Sequence, residues 1–362
     1  MAANNRIFYA CQAVAIGKYQ IGETPAPATP AEVLKVVHGV QSVGINTSFN
    51  LEQAFELGQI SIYENIEGLP DIEVTVEKVL DGYPLIYHMA TSGVEHVSPP
   101  TNSLVARAKQ RCNVALGIYS DEDEAVSGIA PVEVFMSGMY LSSLSYTFPT
   151  DGNCTESVTL VGNSKSWHQT GGGAPGVKTN SWTQNATIAA GLKFNTDRPV
   201  GSGGIQRRED VLMASSVMPQ SIYGVSTVSP TGNNWDSTTK RPRAHIQNIT
   251  ISTDLGREDI LELGHKEPYY RSATFPVEVT SEFEVIAVSG DFITAYANGD
   301  NTPEQQIKIV LRDGTTFDLG NKNRLSSVNY TGGDAGGGNV SVTYSFSTFN
   351  DLTVTAPFVF NA

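Results

Sequence analysis

Histidines, carboxylates and glycine-rich runs are the residues through which this chain could do chemistry, and their spacing argues against most of it. The six histidines (His38, His88, His96, His168, His245 and His265) show neither HExxH nor HxH spacing, so no metal-ligand pattern arises. Ser237-Thr238-Thr239-Lys240 matches SxxK in form, but it lies in a polar stretch without the companion motifs of acyl-transfer enzymes. The runs Gly171-Gly172-Gly173 and Gly201-Ser202-Gly203-Gly204 lack the GxGxxG or GxxxxGK spacing that cradles phosphate between a strand and a helix. Asp121-Glu122-Asp123-Glu124 lacks the calcium-loop pattern and reads as a solvated turn. Arg207-Arg208-Glu209-Asp210 reads as an exposed helix start or an inter-subunit charge cluster. No catalytic residue, metal or cofactor is expected, and the chain is read as a non-enzyme.

Two carboxylate pairs stand apart because they occur twice. Residues 40–70 align without a gap onto 246–276, a shift of 206 (246 − 40). The identical pairs include Gln41/Gln247, Thr47/Thr253, Glu52/Glu258, Glu56/Glu262, Leu57/Leu263, Gly58/Gly264, Tyr63/Tyr269 and Pro70/Pro276. A second match sets Leu141–Thr147 against Leu325–Thr331, in the same order along the chain. One domain copied and fused is the economical reading. Carboxylates spaced like Glu52 and Glu56, repeated as Glu258 and Glu262, do not stabilise an isolated helix, so a contact role is expected. Helix N-terminal charge is a sufficient alternative for Glu52 and Glu258.

The elements around these residues are mostly strands. With 362 residues, 40% hydrophobic and 17% charged, the chain can bury two cores. Recurrent Val, Thr, Ser and Tyr between Gly- and Asn-bearing turns favour sheets. Val40–Thr47 and Ile246–Thr253 alternate as strands. Asn50–Gly58 carries a helix pattern, with Asn50 as cap, Gln53 three residues on and Gly58 as terminator; Arg257–Gly264 repeats it. Longer strands run from Asp71 to Val79 and from Val277 to Val285, with Glu-Val-Thr recurring at a shift of 205 (278 − 73). Further strands are expected near 112–119, 132–136, 141–148 and 156–161, and near 307–311, 315–319, 325–331 and 340–346.

This divides the chain into an N-terminal arm (1–35), a first domain (36–168), a Gly/Ser/Thr-rich connecting segment (169–243) and a second domain with a C-terminal arm (244–362). The fold class is mainly β: two tandem β-sandwiches or partly open barrels, each with one short flanking helix. The arm is apolar at Ile7, Phe8 and Tyr9 and continues into a Pro-rich tether, so it needs a surface on its own domain or on a neighbouring subunit. The net charge of −14 disfavours gripping nucleic acid, though not enclosing or repelling it. The cysteines Cys11, Cys112 and Cys154 suggest reduced thiols in a cytosol. Neither a signal peptide nor a membrane-spanning helix is expected.

At these residues the chain resembles a known family. Gly39–Val43 leading to Asn50–Gln59, Glu73–Leu85, Tyr140–Tyr146 and Glu156–Gly162 are similar to tail tube proteins of tailed bacteriophages, as are Asp254–Glu258 and Phe275–Thr280 in the second copy. The long 169–243 segment departs from that pattern. The resemblance implies a β-sandwich whose inner strands join neighbours into an inter-subunit β-barrel ring. A fused pair then implies three chains per ring, six chains being the alternative. It also implies stacking into a tube of the virion tail, assembled in the host cytoplasm, that conducts genomic DNA. Tail terminator, baseplate and tape-measure proteins are the implied partners, with a contractile sheath left open. Ring contacts are then expected at Glu52, Phe55, Glu56, Glu258, Leu261 and Glu262, and stacking contacts at the arm and loops. Glu73, Glu77, Glu278 and Glu282 become candidates to face the lumen. A surface-exposed carbohydrate-binding or adhesin-like β-sandwich is the competing reading, and a hydrolase the remote third.

Overall fold

Alternation of Val, Ile, Leu and Phe with Ser, Thr and Glu sets one face of each strand inward, and the computed structural model is built from such strands. It describes residues 7, 9–18, 34–58, 60–91, 103–119, 130, 132–169, 204–212, 218–222, 245–287, 290–297, 302–333 and 338–356. Phe8, the Pro-rich tether, Asp121–Glu124 and Ser237–Lys240 lie outside them, as does most of 169–243. In chain order the elements are β1 (Gln12–Lys18), β2 (Leu34–Val36), β3 (Val40–Phe55), β4 (Ile62–Val79), α1 (Ile86–Thr91), α2 (Leu104–Arg107), β5 (Arg111–Ile118), β6 (Val132–Pro149), β7 (Thr155–Gly162) and β8 (Ser164–Gln169). The second half follows with β9 (Val211–Leu212), β10 (His245–Asp254), β11 (Arg257–Ile260), β12 (Tyr270–Ala273), β13 (Glu278–Ile286), β14 (Lys308–Leu311), β15 (Thr316–Asp318), β16 (Arg324–Thr331), β17 (Ser341–Phe349) and β18 (Thr353–Thr355).

The two halves share one strand plan. The inner sheet of the first half runs β3-β4-β7-β6 and that of the second runs β10-β13-β17-β16. The outer sheets run β2-β1-β5-β6-β8 and β9-β14-β15-β18. β6 turns the corner between layers: its first part pairs with β5 and β8, its last part with β7 and β10. A bulge between Leu141 and Ser143 marks the change, as bulges do where a strand switches sheets. The same bulge recurs between Leu325 and Ser327. β6 also pairs with β10, so the two inner sheets fuse into one open sheet of eight strands whose end strands are β3 and β16.

The mainly-β expectation holds, with its helices misplaced. Asn50–Phe55 is strand, and Leu57 and Gly58 form a turn before β4 begins at Ile62. Arg257–Ile260 is strand as well, paired with β12. Backbone pairing overrides the helical pattern because these residues are exposed; no core lies beneath them to reward a helix. Gly58 does adopt a positive φ of 96° and Gly264 of 90°, but as hairpin-tip residues. The short helices α1 and α2 lie after β4 instead, in the first half. The expected strands 132–136 and 141–148 are one strand, β6. The tandem strands also align differently from the Glu-Val-Thr recurrence: Ile72 faces Thr47 as Val279 faces Thr253, a shift of 207 (279 − 72). Residues 12–18, expected in an arm that covers either its own domain or a neighbour, form β1 inside the first half's outer sheet, because Val14 and Ile16 bury in its core.

One core runs through both halves. The Phe317 ring on β15 lies 4.5 Å from that of Tyr146 and 5.2 Å from that of Phe148, both on β6. Leu104 donates its N–H to Leu352 O at 3.0 Å, and His88 Nε2 lies 3.0 Å from Val354 O, so the first half's helices cap the edge of β18. Fully buried Glu156 accepts from the N–H groups of Ile86 (2.7 Å) and Tyr87 (3.0 Å) and from the Tyr146 hydroxyl (3.0 Å). It thereby satisfies the orphan donors at the start of α1. Across the strand pair from Glu156 sits Lys78, also fully buried, whose ammonium bonds Asp81 Oδ1 and Pro84 O at 3.1 Å. Val285 and Val342 face each other at the matching place in the second half.

A buried charge left alone is costly, whereas an apolar replacement of both partners is tolerated. Lys78→Val and Glu156→Val are each expected to destabilise by about 3–5 kcal/mol, and the double variant by less than their sum, in a urea-unfolding cycle. Additive losses would show that the two charges are not coupled.

Burial pushes the Glu156 carboxyl above its ordinary 4.5, opposed by Lys78, the two backbone donors and Tyr146. The native state therefore holds this proton more tightly than the unfolded chain. Its contribution to stability rises as the pH falls from the raised native value towards 4.5 and is lost as the pH rises. Wild type is expected to gain stability relative to Glu156→Gln over that fall, measured by urea unfolding of both at matched pH. A constant gap contradicts this.

Candidate assembly surfaces

The repeat fixes two hairpins of matching register. Leu51 pairs with Glu67, Glu52 with Ile66, Gln53 with Asn65 and Ala54 with Glu64. Arg257–Ala273, Glu258–Ser272, Asp259–Arg271 and Ile260–Tyr270 repeat those pairs at a shift of 206 on both strands. Glu52 therefore lies in a strand and Glu56 in the following turn, not one helical turn apart, and Glu258 and Glu262 are placed likewise. Glu262 lies 3.8 Å from His265 on the exposed tip. Phe55 and Leu261 are each 67% exposed.

The tips carry apolar residues that face no core of their own. Leu57 and Leu263 are fully exposed, and Ile60, Tyr63 and Tyr269 are largely so. Leu57/Leu263 and Tyr63/Tyr269 are identical pairs in the sequence repeat, so much of the repeat's identity falls on exposed positions. Packing cannot be what these identities serve. Burying each Leu against a partner is worth about 1.5–3 kcal/mol. Ile7 and Tyr9 are also exposed, just before β1.

The base of the second hairpin is pinned to the first half by residues that sequence patterns did not single out. Arg271, almost fully buried on β12, lies 2.7 Å from Asp259 Oδ1 and 3.0 Å from Asp71 Oδ1 of β4. Arg257 donates Nε to Leu141 O at 2.7 Å and sits 5.1 Å over the Tyr140 ring. Tyr270 meets Tyr140 edge-on at 5.8 Å. Burial pushes the Arg257 guanidinium down to about 10, with Tyr270 and Tyr140 opposing the shift and Arg271 adding to it. Only the strand pairing brings Asp71 and Arg271, so far apart in sequence, to one place.

The face of the eight-stranded sheet turned away from the core is hydroxyl-rich and acidic. Alternation puts Ser143, Ser145, Thr147, Ser157, Thr159, Thr250, Ser252, Thr343 and Ser345 there beside Glu73, Glu77, Glu278, Glu282 and Glu284. Ser42 bonds Glu77 and Ser345 bonds Glu282, each at 3.3 Å, and the Ser252 and Thr280 hydroxyls meet at 2.8 Å. Among the described residues no group of His, Cys, Asp and Glu could hold a metal ion, and no helix is long and apolar enough to cross a membrane.

No protein-family model and no curated protein sequence matches the chain. Among solved structures it is similar to the cap that terminates the tube of an anti-feeding prophage. That likeness has 12% identity over 47% of this chain and 95% of the other, with a TM-score of 0.31. It is also similar to a protein of the sheath–tube complex of an extracellular contractile injection system in its extended state. There the identity is 10% over 46% of this chain and 94% of the other, with a TM-score of 0.30.

Arg271→Ala removes the ion pairs that hold the second hairpin's base. It is expected to cost about 1.5–3 kcal/mol in urea unfolding and to speed protease cutting between 257 and 273. Cleavage as slow as in wild type would show that the hairpin stands without this anchor.

Proposed function

We propose that the chain is a non-catalytic, self-assembling component of a phage-type tail: a duplicated tube protein whose copies close into rings and stack. The observation that carries this reading is the β6–β10 pairing. One half's last inner strand already joins the next half's first inner strand, and among the described residues the same two kinds of edge stand unpaired at β16 and β3. An open edge of this length invites a partner, and head-to-tail repetition of one joint generates a ring when the rotation closes.

Strand number supports three chains per ring over six. Three chains of eight inner strands supply twenty-four. At ~4.8 Å spacing and ~40° tilt these close at a radius of about 24 Å. Six chains would double that radius, and the eight strands of one chain would close on an interior filled by side chains. A trimer of pseudo-sixfold outline fits a channel wide enough for a nucleic-acid duplex. Its wall would be the hydroxyl-rich face, where Glu73, Glu77, Glu278 and Glu282 repel phosphate and let DNA slide. The exposed hairpin tips and the residues before β1 are left to contact neighbouring rings and other tail proteins.

Negative-stain microscopy of the purified chain is expected to show rings or tubes of near-sixfold outline, and mass photometry a multiple of three chains. Monomers alone, with affinity for sugars, would reject this reading in favour of the adhesin-like one.

A further inference from the structure

The joint within the chain is a template for the joint between chains, and it specifies more than the existence of a ring. Four hairpin pairs obey the 206 shift on both strands, and Thr47 faces Ile72 as Thr253 faces Val279, so β3 stands where β10 stands. β16 stands where β6 stands at a shift of 184 (325 − 141), with the bulges at Leu141/Ser143 and Leu325/Ser327 coinciding. Within the chain, Tyr146 faces Ile251, Leu144 faces Thr253 and Ser145 faces Ser252. At the open edges the matching core-side residues lack cover. Tyr146 is fully buried but Tyr330 is 50% exposed. Ile249 and Ile251 are buried, but Val43 and Ile45 only partly so.

We infer that β16 of one chain pairs antiparallel with β3 of a second copy in one register: Tyr330 opposite Ile45, Val328 opposite Thr47, Asn329 opposite Asn46 and Ser327 opposite Ser48. This deepens the ring reading and rests on it. The register keeps Tyr330, Ile45 and Val328 on the core side and Asn329, Asn46, Ser327 and Ser48 on the polar face, as side-chain alternation demands.

The same transfer names the fastening. Inside the chain, Arg257 and Tyr270 of the second hairpin hold Tyr140. The counterparts are Leu51 and Glu64 of the first hairpin and Arg324 of β16. The edge-on contact of Tyr270 with Tyr140 is thus replaced by an ion pair, Glu64 of one copy with Arg324 of the other, while Leu51 stands in the place of Arg257. Arg324 is half exposed, at 3.7 Å from Glu304, and Glu64 is exposed, so both are accessible. The Arg271–Asp71 pair maps onto Asn65 and Glu278, a side-chain amide donating to a carboxylate. Because the two joints carry different chemistry, each rejects the other's partner, which keeps the halves alternating around the ring.

The test uses the full chain with its native cysteines, all three of which are buried. Asn46→Cys combined with Asn329→Cys is expected to give disulfide-linked dimers and trimers on mild oxidation. Asn46→Cys with Ser327→Cys, two residues out of register, is not. Glu64→Arg and Arg324→Glu alone are each expected to weaken ring formation about tenfold or more, and the two together to restore it. Circular dichroism checks that each variant is folded. Rings that form while the out-of-register pair links instead would overturn the register and leave the ring reading intact. Rings unaffected by single charge reversal, or not rescued by the double, would overturn the ion pair. Monomers under every condition would overturn both the joint and the reading on which it rests.

Discussion

The antiparallel pairing of β6 with β10 is the constraint on which the rest of the molecule depends. A strand in mid-sheet has its N–H and C=O groups met on both sides, whereas one at an edge leaves a row unmet. By joining the halves through their inner strands, the chain satisfies one pair of edges, and among the described residues the inner-sheet edges without a partner strand are those of β3 and β16. The aromatic contacts of Phe317 with Tyr146 and Phe148 follow from that pairing, because it brings the second half's outer sheet over the first half's corner strand. So does the lateral anchoring of the second hairpin, since Asp71 and Leu141 come within reach of Arg271 and Arg257 only when β10 lies against β6.

Similar backbones have been fitted out with different chemistry in the two halves. Where α1 enters the first half's core, Glu156 meets its orphan donors and Lys78 answers the buried charge. Where no described helix stands in the second half, Val285 and Val342 fill the same seats. The exchange follows the backbone's hydrogen-bonding demand, since a carboxylate is worth burying only where donors await it. The hairpins show the converse. Their identical residues are exposed, so what the two hairpins share is a surface, whereas the paired interior positions Lys78/Glu156 and Val285/Val342 differ.

The sequence by itself determined the strand-rich class, the positions of most long strands, the repeat and the alternation that gives each strand a polar face. Those properties are local: side-chain period and turn residues act within a few positions. It also marked Glu52, Glu56, Leu57, Gly58 and Tyr63 with their counterparts as unusual, although for a helix that does not form. The tertiary structure decided that these residues are hairpin arms, that Gln12–Lys18 belongs to the first half's sheet, and that the tandem strands align at a shift of 207. It also decided that Asp71, Tyr140, Arg257 and Arg271 form one anchor. Each of these depends on which distant strand supplies a partner for the backbone, a long-range condition that overrides local propensity when a segment has no core to face.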